Sequence, residues 1–239
     1  AALPPPEQWA DVARAEPHGR LGRALARLVA LRDAGVDIVH YSADVTDRAA
    51  MAAVVADTTR RFGGLHGAIH AANASTHGSF RMIGQTDAGD WARELAPKLH
   101  GTRVLGEVLP DDLDFCLVSG SVATVLGDRG GAVEAAANLA AAAVARNATT
   151  PYPWIVVDWE RWSFHRHGLA EGSTGDVLFN LDLTMQGKFN MTPDEGLVAL
   201  QRALELAEPG RVVLSCADLD ARLREQREAA AALHVPMPV

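Results

Sequence analysis

Apolar residues along this chain recur at two alternating spacings. Steps of three and four predict helices over 7–15, 19–34, 48–62, 87–104, 132–145 and 193–205. Between them stand short apolar or β-branched runs at 36–41 (V-D-I-V-H-Y), 65–70, 113–119, 154–157 and 212–215, which predict strands. Strands alternating with helices of this length require crossover connections, so the pattern predicts a doubly wound parallel α/β sheet with helices on both faces. Ligands of such sheets bind beyond the carboxyl ends of the strands. That rule singles out Asp44, then 71–74, 119–123 and 158–162. A segment rich in Gly, Ser and His at 163–187 suits either a lid over that crevice or an ordinary surface loop.

A length of 239 residues suffices for one α/β domain with its own core. The net charge of −8 argues against a nucleic-acid partner or an anionic membrane face, both of which need clustered cations. Cys116 and Cys216 stand in apolar runs without a metal-binding spacing and read as small buried hydrophobes. His70, His77, His165 and His167 share no metal-ligand spacing and read as surface or loop residues, so no metal is expected. No apolar stretch reaches the roughly 18 residues needed to span a bilayer, and the start is unlike a signal peptide, which implies a reducing, cytoplasmic setting. The opening A-A-L-P-P-P, without Met, reads as part of a larger polypeptide. Residues 1–225 read as the domain and 226–239 as a helix end running into a linker.

The stretch 121–138, S-V-A-T-V-L-G-D-R-G-G-A-V-E-A-A-A-N, places a serine after an apolar strand, then a glycine-rich turn, then a helix bearing Glu134 and, four residues on, Asn138. Further motifs fall in order around it: A-D-V-T-D at 43–47, F-G-G-L-H-G-A-I-H-A-A at 62–72, L-A-P-K-L-H-G-T at 95–102, V-D-W-E-R-W at 157–162, M-T-P-D-E-G at 191–196 and G-R-V-V-L-S at 210–215. Together they resemble the ketoreductase domains of modular type I polyketide synthases, within the short-chain dehydrogenase superfamily, over almost the whole chain. The resemblance implies a Rossmann-like fold, truncated here at its first βαβ unit. It implies NADPH as cofactor, with the acyl carrier protein and neighbouring synthase domains as partners. It assigns Lys98 as the catalytic lysine, Ser121 as the serine that hydrogen-bonds the substrate carbonyl and Asn138 as the helix asparagine. Asp44 and Val45 would lie at the adenine, and Ala71, Ala72 and Asn73 along the nicotinamide path.

Three departures from the family pattern bear on activity. Glu134 stands where the family has its proton-donating tyrosine. A free glutamate is protonated only about one part in 500 at pH 7, a cost of roughly 3.7 kcal/mol before any chemistry, and a Lys98 ammonium beside it would lower its pKa further, making a salt bridge; strong burial would instead raise it, the one route by which Glu134 could donate. The second departure is the phosphate loop. No strand in these 239 residues leads through closely spaced glycines into a helix, the arrangement that lets a backbone approach a pyrophosphate. This argues against NADPH binding by the chain. Third, Asn73 replaces a glycine of the crevice motif, and Glu160 and Arg161 replace a glycine and proline on the substrate side.

The expected function is therefore a synthase ketoreductase domain inactive in reduction and retained as a scaffold. Two alternatives stay open. One is an NADPH-dependent β-ketoacyl reductase whose cofactor segment lies elsewhere; the other is an α-carbon epimerase using Glu134 as its base.

Overall fold

Alternating side chains of the short apolar runs face opposite sides of one sheet, and both sides are covered by helices. A computed structural model describes residues 3–74, 81–128, 130–163, 189–206 and 209–232. Its contacts divide the chain into two compact units, Ala1–Asp44 and Val45–Val239.

The smaller unit is a helical hairpin. Helix α1 (Trp9–Ala15) packs against α2 (Arg20–Asp33). Leu25 is fully buried and Trp9 nearly so, its indole N–H donating to the Pro4 carbonyl at 2.8 Å. The strand expected over 36–41 is absent: those residues join no ladder. β-branched residues favour extended backbone, but a strand exists only where a neighbour takes up its N–H and C=O groups.

In the larger unit, α3 (Arg48–Phe62) begins on Asp47, whose carboxylate accepts from the amides of Ala49 and Ala50 at 3.0 Å. Strands β1 (Gly67–His70), β2 (Phe115–Ser121), β3 (Trp154–Trp159) and β4 (Gly210–Val213) form one parallel sheet in that order. Between β1 and β2 run α4 (Ala88–Leu95), a π-helical turn at Ala96–His100 and α5 (Gly101–Val108). The short α6 (Ala123–Leu126) and α7 (Ala132–Arg146) lead from β2 towards β3. Helix α8 (Pro193–Glu205) precedes β4, and α9 (Leu219–Ala232) follows it.

Cys116, Val118, Trp154 and Val156 point to the face covered by α3, α5 and α7, where they pack with Leu105, Ala141 and Ala145. Leu117, Ile155 and Val157 point the other way, onto Leu200, Ala203 and Leu204 of α8. Both faces being buried, β2 and β3 are apolar nearly throughout, as central parallel strands are. The doubly wound sheet with helices on both sides is the fold expected from the pattern. Cys116 lies buried in it, but Cys216 is exposed: β4 ends at Val213, three residues before it. Helix α9 continues through positions 225 and 226. Among the described residues, no helix is long and apolar enough to cross a membrane.

Candidate active site

The carboxyl ends of β1, β2 and β3 carry His70, Ser121 and Asp158. Lys98 reaches the same region from the helical layer. Helix α4 begins with a reciprocal cap between Asp87 and Asp90, and Asp90, Glu94 and Lys98, at steps of four, are all buried. Pro97 has no N–H, so the regular i→i−4 ladder is broken there, and the chain widens into the π-helical turn that holds Lys98. Lys98 is only 6% exposed, and its Nζ donates to the backbone carbonyl of Ser119 at 2.6 Å. Burial depresses its pKa, against the opposing pull of Glu134, Asp158 and Glu94.

Ser121 closes β2, half-buried, with its Oγ accepting from the Ala123 amide at 3.3 Å where α6 starts. Glu134 stands in the first turn of α7. No ion pair within 4.0 Å joins it to Lys98 among the described residues. Its pKa is raised, by burial above all and then by Glu94, with Lys98 and Arg161 opposing. The expected salt bridge and lowered pKa are therefore corrected: the lysine spends its short bond on a strand carbonyl, and desolvation outweighs its charge at the carboxyl. Asn138, one turn further along α7, is buried. Its Nδ2 donates to the Glu134 carbonyl at 3.1 Å, and its Oδ1 is buried without a partner.

Two polar groups, His70 and Asp158, were given no role by the sequence reading, and the partners of Glu160 and Arg161 were not foreseen. His70, expected on the surface or in a loop, is 3% exposed at the end of β1, with Nε2 3.0 Å from the Pro97 carbonyl. Asp158 is 1% exposed and takes Arg211 from β4 through Nε at 2.6 Å and Nη2 at 2.5 Å, while Thr124 Oγ1 lies 3.0 Å away. A Cβ on Gly120 would lie 2.0 Å from Asp158 Oδ1, so the paired residue on β2 must be glycine. Glu160 is buried and pairs with Arg222 of α9, whose guanidinium also lies 4.7 Å from the Phe189 ring centroid. Arg161 pairs with Asp128 at 3.5 Å. Strand-end placement pointed to 158–162; partners 53 and 62 residues away in sequence carried no such signal.

The residues assigned to the cofactor fall in both units. Asp44 belongs to the smaller unit. Val45 packs into the core beside Gly101, where a Cβ would meet its Cγ1 at 2.8 Å. Ala71 and Asn73 are exposed and Ala72 half-buried just beyond β1. The glycines with positive φ are Gly35, Gly63, Gly127 and Gly130, and none of these leads from a strand into a helix. Among the described residues, then, a dinucleotide finds candidate contacts for its nicotinamide end but no glycine cradle for its pyrophosphate. The donor set does not fit the whole cofactor. His77, His165, His167 and the 164–187 part of the glycine-rich segment lie outside the described residues.

A doubly wound parallel sheet with a buried lysine, a strand-end serine and a helix asparagine around its carboxyl edge defines the short-chain reductase class. The family model of the KR domain matches residues 12–163, and the chain belongs to this family, the ketoreductase domains of polyketide synthases. It is 30% identical to the 6-methylsalicylic acid synthase of Aspergillus terreus over 203 residues, which are 83% of this chain and 11% of that protein. To polyketide synthase PksM of Bacillus subtilis it is 29% identical over 188 residues, 77% of this chain and 4% of that one. Among solved structures, a ketoreductase domain from the bacillaene assembly line superposes with a TM-score of 0.67 at 27% identity, covering 87% of this chain and 49% of that one. A-type ketoreductases from a modular polyketide synthase give 0.68 at 26% identity, covering 84% and 40%. The chain thus spans less than half of either solved chain and a far smaller share of the synthases.

Proposed function

We propose that this chain is a synthase ketoreductase-family domain that does not reduce, and that it acts as a scaffold setting distances between the acyl carrier protein and neighbouring synthase domains. The observation that carries this reading is Glu134, a half-buried glutamate in the first turn of α7 where the resemblance calls for a phenol. Reduction needs a proton delivered to the oxygen on which the hydride's charge develops, from a donor whose acidity is matched to that step. In the family a lysine ammonium tunes a phenol for this; here the Lys98 amine is tied to the Ser119 carbonyl and has no ion pair with Glu134. NADPH, which the resemblance implies, would bring the hydride, and no step is assigned through it.

The test uses the domain within its complete synthase chain. NADPH titration followed by nicotinamide fluorescence, and assay with a β-ketoacyl thioester, are expected to show neither saturable binding nor turnover. Reduction lost in a Glu134→Gln variant would overturn the reading in favour of an atypical reductase.

The raised pKa of Glu134 favours a second reading, α-carbon epimerisation. Burial makes the ionised carboxylate a stronger base than a free glutamate, suited to taking a proton from the carbon between a ketone and a thioester. Wash-out of α-deuterium from a 2-methyl-3-keto thioester, lost in Glu134→Gln, would establish it. Exchange no faster than in that variant would exclude it.

A further inference from the structure

We propose that His70 is the positioning residue of the Lys98 amine: its ring donates Nε2–H to the Pro97 carbonyl and thereby fixes the π-helical turn from which Lys98 reaches Ser119. A π-helical turn displaces carbonyls from the regular ladder, so each displaced group needs a partner when buried. At the Pro97 carbonyl His70 is a side-chain partner, 3.0 Å away. A carbonyl only accepts, so the proton of the neutral ring sits on Nε2. Burial and the nearby Lys98 charge both keep the ring neutral, with a pKa lowered to about 4, and this donor arrangement therefore persists at neutral pH.

The remaining contacts brace the turn from other sides. Thr102 Oγ1 donates to the Lys98 carbonyl, and Thr102 is fully buried. Gly101 closes the turn with no Cβ; one placed there would lie 3.4 Å from His70 Cε1. His70 pairs with Val118, the residue before Ser119, across β1 and β2. Anchor and target thus stand on adjacent strands, and the Lys98 side chain spans between a turn pinned to one and a carbonyl on the other. The aliphatic stem of a lysine loses much rotamer freedom when buried, so a fixed starting point is what makes a single amine position sustainable. This role goes beyond the function proposed above and does not depend on turnover.

Two variants in the full chain separate anchoring from packing. His70→Gln keeps an N–H donor near the Nε2 position; His70→Leu fills similar space without one. The readouts are amide hydrogen exchange at 98–101 and the rate of Lys98 acetylation relative to Lys188, the only other lysine. In His70→Leu both are expected to rise about tenfold, the scale of one lost buried hydrogen bond, and in His70→Gln to stay within about twofold of wild type. If the Leu variant does not fold, His70→Asn, whose amide is too short to reach, replaces it with the same expectation. Equal behaviour of the donor and non-donor variants, whether both disturbed or both unchanged, would overturn the proposal.

Discussion

His70 and Glu134 are ionisable groups held where neither charged form is well solvated, and each gives stability its own pH dependence. For His70 the folded pKa, about 4, lies below the ordinary 6.5. Above pH 6.5 folded and unfolded chains both carry it neutral. As pH falls from 6.5 towards 4, only the unfolded chain takes up the proton, so stability drops, and below about 4 this residue adds no further loss. The full drop is about 3 kcal/mol. Chemical denaturation at pH 7 and pH 4.5 is expected to show a smaller acid loss for His70→Gln than for wild type; equal losses would show that His70 is not responsible. The resemblance marked Glu134, Asn138, Ser121 and Lys98 as a set, because each stands in a motif quoted from the sequence. The protonation behaviour of Glu134 was only half legible: a neighbouring Lys98 predicts a lowered pKa and burial a raised one, and only the packing, with Glu94 adding to burial, decides for the raised one.

Elements with local caps were read almost to the residue. Helix α8 starts where Thr192 and Glu195 make a reciprocal cap, Thr192 Oγ1 accepting from the Glu195 amide at 3.3 Å and the Thr192 amide donating to Glu195 Oε2 at 2.8 Å. Thr192→Ala is therefore expected to destabilise the fold by about 1 kcal/mol, measured by urea unfolding with unchanged m-value. The π-helical turn at 96–100 was read as plain helix, because Pro97 predicts a break in the ladder but not the form that relieves it. The run at 36–41 failed for the opposite reason: local preference for extended backbone was strong, but among the described residues the sheet does not include it.

Across the larger unit, long-range ion pairs tie the end of β3 to β4 and to the helix that follows β4. The Glu160–Arg222 pair joins the end of β3 to α9 with both side chains largely buried. Removing one partner of such a pair leaves an uncompensated buried charge, so Arg222→Met is expected to cost about 3 kcal/mol. Pairing it with Glu160→Gln should recover much of that loss, and a double-mutant cycle by thermal unfolding checks it; strict additivity would show no coupling. The sequence by itself determined the doubly wound class, the central strands with their helices and the strand-end serine, since periodicity and caps are local properties, and the resemblance put a glutamate in the tyrosine position. Only the tertiary structure decided the burial of His70 and its bond to Pro97, the Asp158–Arg211 and Glu160–Arg222 pairs, and the raised pKa of Glu134. Those depend on which residues, distant along the chain, the parallel sheet brings within a few ångströms, and on how far water is kept from them.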